Sequence, residues 1–74
     1  MEESILKKFG QRVRELRTER NLTQQQLADI SGLHKNYIGM VERGERNPSL
    51  LNIDVLAKSL EMDISDLMRI SSNK

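Results

Sequence analysis

The chain contains no cysteine, which excludes a disulfide framework and thiolate metal ligation and suits a reducing, cytoplasmic setting. Its one histidine, His34, has no cysteine or paired carboxylates around which a metal site could be built. Long apolar runs are missing as well, so nothing in the sequence suggests a membrane span, and the opening Met1-Glu2-Glu3 lacks the basic start of a secretory signal. A soluble, untargeted protein is expected. Charge of one sign is equally scarce: 12 basic against 11 acidic residues leave a net +1. Bulk electrostatics therefore say nothing for a nucleic-acid partner, and any such claim must rest on where the charges lie. No glycine loop for cradling phosphates is present, and His34 has no evident acid or nucleophile partner. No catalytic residue, cofactor or small-molecule ligand is expected.

What is present fits one domain over residues 1–74, too small for two cores. A core of this size usually needs support, and with no disulfide or metal that support is expected from a second copy of the chain.

Between Ser4 and Arg20, Ile5, Phe9, Val13 and Leu16 recur at helical spacing, which predicts a first helix. Thr23 followed by Gln26 has the form of a capping box and predicts a second helix from Gln24. Gly32 suits a tight turn, and Tyr37, Ile38 and Val41 mark a third helix ending near Arg43, with Gly44 as its C-terminal cap. Arg46-Asn47-Pro48-Ser49 reads as a loop closing on an N-cap serine. Leu50, Ile53, Leu56, Ala57 and Leu60 mark a fourth helix, Ser65 to Ile70 a short fifth, and Ser71 to Lys74 a loose tail. No strand-like alternation or repeat is seen, so an all-α, five-helix compact domain is expected, with a helix-turn-helix over about residues 24–43.

In that motif Ala28 and Gly32 are expected to be small because two helices cross there, with Leu27, Ile30, Leu33, Ile38 and Val41 packing inward. At about 100° per residue, Lys35, Asn36, Gly39, Met40 and Arg43 fall within about 140° on the opposite side of the third helix. This arc has the chemistry of base recognition: Asn36 can pair with adenine, Lys35 can donate to guanine, and Met40 can touch a thymine methyl. Glycine in an exposed helix costs about 1 kcal/mol relative to alanine, so Gly39 is expected to permit close approach by DNA. Tyr37 borders the arc and either contacts DNA or packs across the turn. His34 is either an N-cap or a neighbour of a phosphate. Lys7, Lys8, Arg12, Arg14 and Arg20 alternate with acids on the first helix and read as a solvated face rather than a DNA contact.

Met62, Ile64, Leu67, Met68 and Ile70 supply more apolar surface than two short helices need, which predicts a dimer interface within about residues 50–70. Two recognition helices held about 34–36 Å apart can read successive major-groove faces of an inverted repeat.

The pattern Gln24-x3-Ala28-x3-Gly32-x5-Ile38-x2-Val41-Glu42-Arg43-Gly44 resembles the phage repressor and Cro-like helix-turn-helix family, also called the xenobiotic-response-element (XRE) family, across about residues 9–70. More narrowly, Tyr37-Ile38-x3-Glu42-Arg43-Gly44-x-Arg46-Asn47-Pro48-Ser49 is similar to controller proteins of restriction-modification systems. The resemblance implies a lambda-repressor-like fold and a homodimeric transcription regulator bound to double-stranded DNA at an inverted-repeat operator, with the third helix in the major groove. It also implies that Gln24, and more weakly Gln25, anchors a phosphate, that Arg43, Arg46 and Asn47 hold the backbone, and that Arg17 and Glu42 form a scaffolding ion pair. Two other roles use the same fold. An antitoxin would co-purify with a toxin, and a protein-interaction adaptor would have lost the polar arc, which is intact here.

Overall fold

All of the helices but the last begin where a side chain accepts from a backbone N–H that a helix start leaves unpaired. The structure, a computed structural model, describes residues 4–70, so the tail expected over Ser71 to Lys74 lies outside the described residues. Among the described residues the elements are α1 (Ile5–Glu19), α2 (Gln24–Ser31), α3 (Lys35–Glu42), α4 (Leu50–Ser59) and α5 (Ile64–Leu67), with no strand. Ser4 Oγ accepts from the Leu6 N–H at the start of α1, and Ser49 Oγ from the Asn52 N–H at the start of α4. Before α2 the capping box closes in both directions: Thr23 Oγ1 accepts from the Gln26 N–H at 3.0 Å, and Gln26 Oε1 from the Thr23 N–H at 2.8 Å. Gly32 (φ 78°) and Gly44 (φ 76°) end α2 and α3 in the left-handed region, where a side chain would be strained. Asn21, at φ 58°, makes the same turn after α1.

The core consists of Phe9, Val13 and Leu16 of α1, Leu27 and Ala28 of α2, Ile38 and Val41 of α3, Leu56, Ala57 and Leu60 from α4 and its cap, and Leu67 of α5. α1 packs on α3, α2 on both α3 and α4, and α4 on α5.

Four expectations change. Ile30 does not pack inward but is 56% exposed, because the buried arc of an eight-residue α2 is centred on Leu27 and Ala28. Gly32 is not a crossing glycine, since a Cβ there meets nothing within 4 Å, and its function is the turn alone. α5 runs from Ile64 to Leu67, ending short of Ile70. It stops where Arg12 caps it: Nη2 donates to the Asp66 carbonyl at 2.6 Å and Nε to that of Leu67 at 3.4 Å. Arg12 thus ties α1 to α5 and is not part of a solvated face.

The glycine that does set a helix crossing is Gly10. A Cβ there would run into the Val41 carbonyl oxygen and lie 2.6 Å from that of Glu42, both backbone atoms at the end of α3. Alanine in place of Gly10 is expected to destabilise the fold by about 1–3 kcal/mol, measured by urea unfolding. A neutral or stabilising result, as helix propensity alone would give, contradicts this account of the crossing.

Candidate nucleic-acid interface

α3 is eight residues long, too short to be stable or oriented by its own hydrogen bonds. Its inner side is fastened by Ile38 and Val41, each 1% exposed, and its last residue is fastened electrostatically. The side chain of Glu42, 3% exposed, accepts from Arg17 Nε at 2.7 Å and Nη2 at 3.1 Å, and from Gln24 Nε2 at 3.1 Å. Arg17 Nη1 donates onward to the Leu22 carbonyl at 2.7 Å. One carboxylate therefore joins α1, the start of α2 and the end of α3, and no described buried side-chain polar atom lacks a partner. At the other end of α3, His34 is the N-cap, its Nδ1 accepting from the Asn36 N–H at 3.1 Å.

With that side fixed, the opposite side presents Lys35, Asn36 and Arg43 exposed and Met40 half-buried. Gly39 lies in the middle of this arc but is itself buried, contrary to expectation. The side chains of Arg43 and Gln24 fold over it: a Cβ at residue 39 would lie 3.2 Å from Arg43 Nη1 and 3.5 Å from Gln24 Oε1. Gly39 makes room for neighbouring side chains rather than offering bare backbone.

The cations of this face differ in their engagement. Arg43 is paired with Glu45, Nε to Oε2 at 3.0 Å and Nη2 to Oε1 at 3.2 Å. These hydrogen bonds hold the Glu45 carboxyl below its usual range and raise the Arg43 guanidinium above its ordinary value. Because Glu45 is lowered, the pairing is fully present above the usual carboxylate range and is lost only as pH falls below that range, through the lowered value. Arg46 instead stacks over the Tyr37 ring, 5.3 Å from its centroid, and neither it nor Lys35 has a carboxylate partner among the described residues. Tyr37 is held across the turn to α4, its hydroxyl accepting from Asn52 Nδ2 at 3.0 Å. Gln25 donates to Asp29 at 2.9 Å along the exposed side of α2, and Asn47 is exposed in the loop. An open cleft lined by Gln25, Asp29, His34 and Lys35 separates α2 from the start of α3.

The expected dimer set divides. Leu67 is fully buried in the core and is not available to a partner; Met62, Ile64 and Ile70 lean on the core and stay partly open, and Met68 is 42% exposed. Leu50, expected only as one of the apolar residues marking the fourth helix, and its neighbour Leu51, for which the sequence raises no expectation, are more exposed, at 73% and 72%. Glu45, Gly10 and Asn52 were also missed. None stands out in sequence, because the partner that gives each its role is brought to it only by the fold or by the turn after α3. No group of three or more metal-ligating side chains occurs among the described residues, and none of the described helices is long and apolar enough to cross a membrane.

Comparison with known proteins finds that the helix-turn-helix family HTH_3 matches residues 13–67. Control protein C.SmaI of Serratia marcescens is 50% identical over 60 residues, covering 81% of this chain and 71% of that protein. Among solved structures, the restriction-modification controller protein C.AhdI from Aeromonas hydrophila is 55% identical with a TM-score of 0.82, covering 84% of this chain and 94% of that one. The restriction-modification controller protein C.Esp1396I, solved as a tetramer in complex with its natural 35 base-pair operator, is 28% identical with a TM-score of 0.80, covering 90% of this chain and 92% of that one.

Removing the Glu42 carboxylate would leave the Arg17 guanidinium buried without a counter-charge. Glu42→Ala and Arg17→Ala are each expected to destabilise the domain by about 3–5 kcal/mol, with the double variant losing less than the sum of the two. Strict additivity in urea unfolding would show that the two side chains do not act as a pair.

Proposed function

Because this chain belongs to the HTH_3 helix-turn-helix family, we propose that it is a sequence-specific DNA-binding transcription regulator of the restriction-modification controller type, acting as a homodimer on an inverted-repeat operator. The observation that carries this reading is the division of α3: its inner side is locked to the core through Glu42, while the side chains of Lys35 and Asn36 face outward with no partner among the described residues and Met40 lies half-buried beside them, its sulfur 3.9 Å from Arg46 Nη1. Asn36 and Lys35 have the donor and acceptor patterns suited to adenine and guanine edges in the major groove, and Met40 offers an apolar surface to a thymine methyl.

Contacts to phosphate come from a second set. Arg46, stacked on Tyr37 and without a carboxylate partner among the described residues, carries a full charge to the backbone, with Asn47 beside it. On the α2 side, Gln24, Gln25 and His34 flank the starts of two helices, where backbone N–H groups favour an anion. Tyr37 serves chiefly as the platform for Arg46.

An eight-residue α3 is about 12 Å long, so one copy reads only a few base pairs at about 3.4 Å each. Pairing of two chains through Met62, Ile64, Met68 and Ile70 would supply the second half-site. A regulator of this kind works in the cytoplasm.

Selection of bound duplexes from a random pool, with the mass of the protein in solution measured at the same salt, is expected to return an inverted repeat and a dimer. Asn36→Ala is expected to relax preference at one base pair per half-site by about 1–3 kcal/mol, leaving binding to random duplex unchanged. Binding without sequence preference by the unaltered protein would overturn the reading in favour of an adaptor.

A further inference from the structure

We propose that Glu45 is a specificity-determining positioning residue: it pins the Arg43 guanidinium across Gly39 so that Arg43 reads a guanine edge rather than holding a phosphate. The inference rests on the DNA-binding reading above and changes the role that family resemblance implies for Arg43.

The geometry has three parts. Gly39 lacks the Cβ that would sit 3.2 Å from Arg43 Nη1, so the guanidinium can lie down across the middle of the recognition face instead of projecting from its end. Gln24 bounds the other side, its amide within 3.5–3.6 Å of the same point and tethered to Glu42. Glu45 then engages Nε and Nη2 together, in the two-pronged geometry that orients a guanidinium most strongly. Of the five donors on the group, the end-on pair formed by Nη1 and the second hydrogen of Nη2 has no acceptor among the described residues. That pair matches O6 and N7 of guanine.

Electrostatics favour a base over a phosphate at this position. A guanidinium already neutralised by a carboxylate gains little from displacing counterions, and the carboxylate itself repels the backbone. Guanine presents uncharged acceptors and carries no such penalty. The acid lowers attraction to all DNA and in return fixes the direction of a long side chain that would otherwise lose its freedom on binding. Arg46, without such a partner among the described residues, remains available for general attraction.

The two possible roles of Glu45 give opposite signs. The test measures binding of the full chain, Glu45→Gln, Arg43→Ala and the double variant to the selected operator, to operators changed at each base pair, and to random duplex at one salt concentration. Glu45→Gln is expected to lose about three- to tenfold of the preference for guanine at one position per half-site, while binding to random duplex stays equal or tightens. Arg43→Ala is expected to lose preference at that same position, and the double variant to be no worse than Arg43→Ala. Thermal unfolding should be unchanged, since both side chains are exposed. If Glu45→Gln strengthens operator and random duplex by one common factor, or if its loss persists without Arg43, the inference is overturned while the regulator reading stands. If the unaltered chain prefers no sequence, both fall.

Discussion

A single carboxylate, that of Glu42, determines which side of α3 faces outward. It is nearly fully buried and satisfied by two hydrogen bonds from Arg17 and one from Gln24, and Arg17 is in turn fixed on the Leu22 carbonyl. The charge is tolerable inside the domain only because every partner is in place, so α1, the turn after it, α2 and α3 must adopt their mutual positions together. Gly10 allows this by letting α1 approach the backbone carbonyls of Val41 and Glu42. Orientation of the short α3 is thus imposed from outside it, by burial on one side and by an ion pair at its end.

The chemistry of the outer face follows from that constraint. With Ile38 and Val41 turned inward, Lys35, Asn36, Met40 and Arg43 must share the opposite arc. Their surroundings distinguish them more than their residue types do. Arg43 is neutralised by Glu45 and laid over a glycine, whereas Arg46 rests on an aromatic ring with no carboxylate partner among the described residues. A basic side chain engaged in direction by a carboxylate suits recognition, and one held by a ring and a thioether suits general attraction.

Much of this was legible in the sequence because the signals are local. The capping box at Thr23, the N-cap Ser49 and the left-handed glycines at 32 and 44 depend on residues within a few positions, and all are found where expected. What was not legible depends on contacts between distant segments. Arg12 reads as one of several charges on a wet helix until α5 places two carbonyls beside it. Gly10 draws no notice within α1 until α3 crosses there, while Gly32, credited with the crossing, only turns the chain. Ile30 and Leu67 exchange their expected environments because elements of eight and four residues leave the phase of the buried arc open to tertiary packing. Gly39 was singled out correctly as unusual, but for the wrong neighbour: side chains of this same chain fill the space.

The central claim, that α3 reads bases in the major groove, is tested most directly by methylation interference on the selected duplex with dimethyl sulfate. Methylation at guanine N7 alters the major groove and methylation at adenine N3 the minor groove. The account predicts that N7 methylation at guanines in both half-sites, about one helical turn apart, blocks binding, while N3 methylation between them does not. Interference confined to adenine N3, or none at either position, would contradict it.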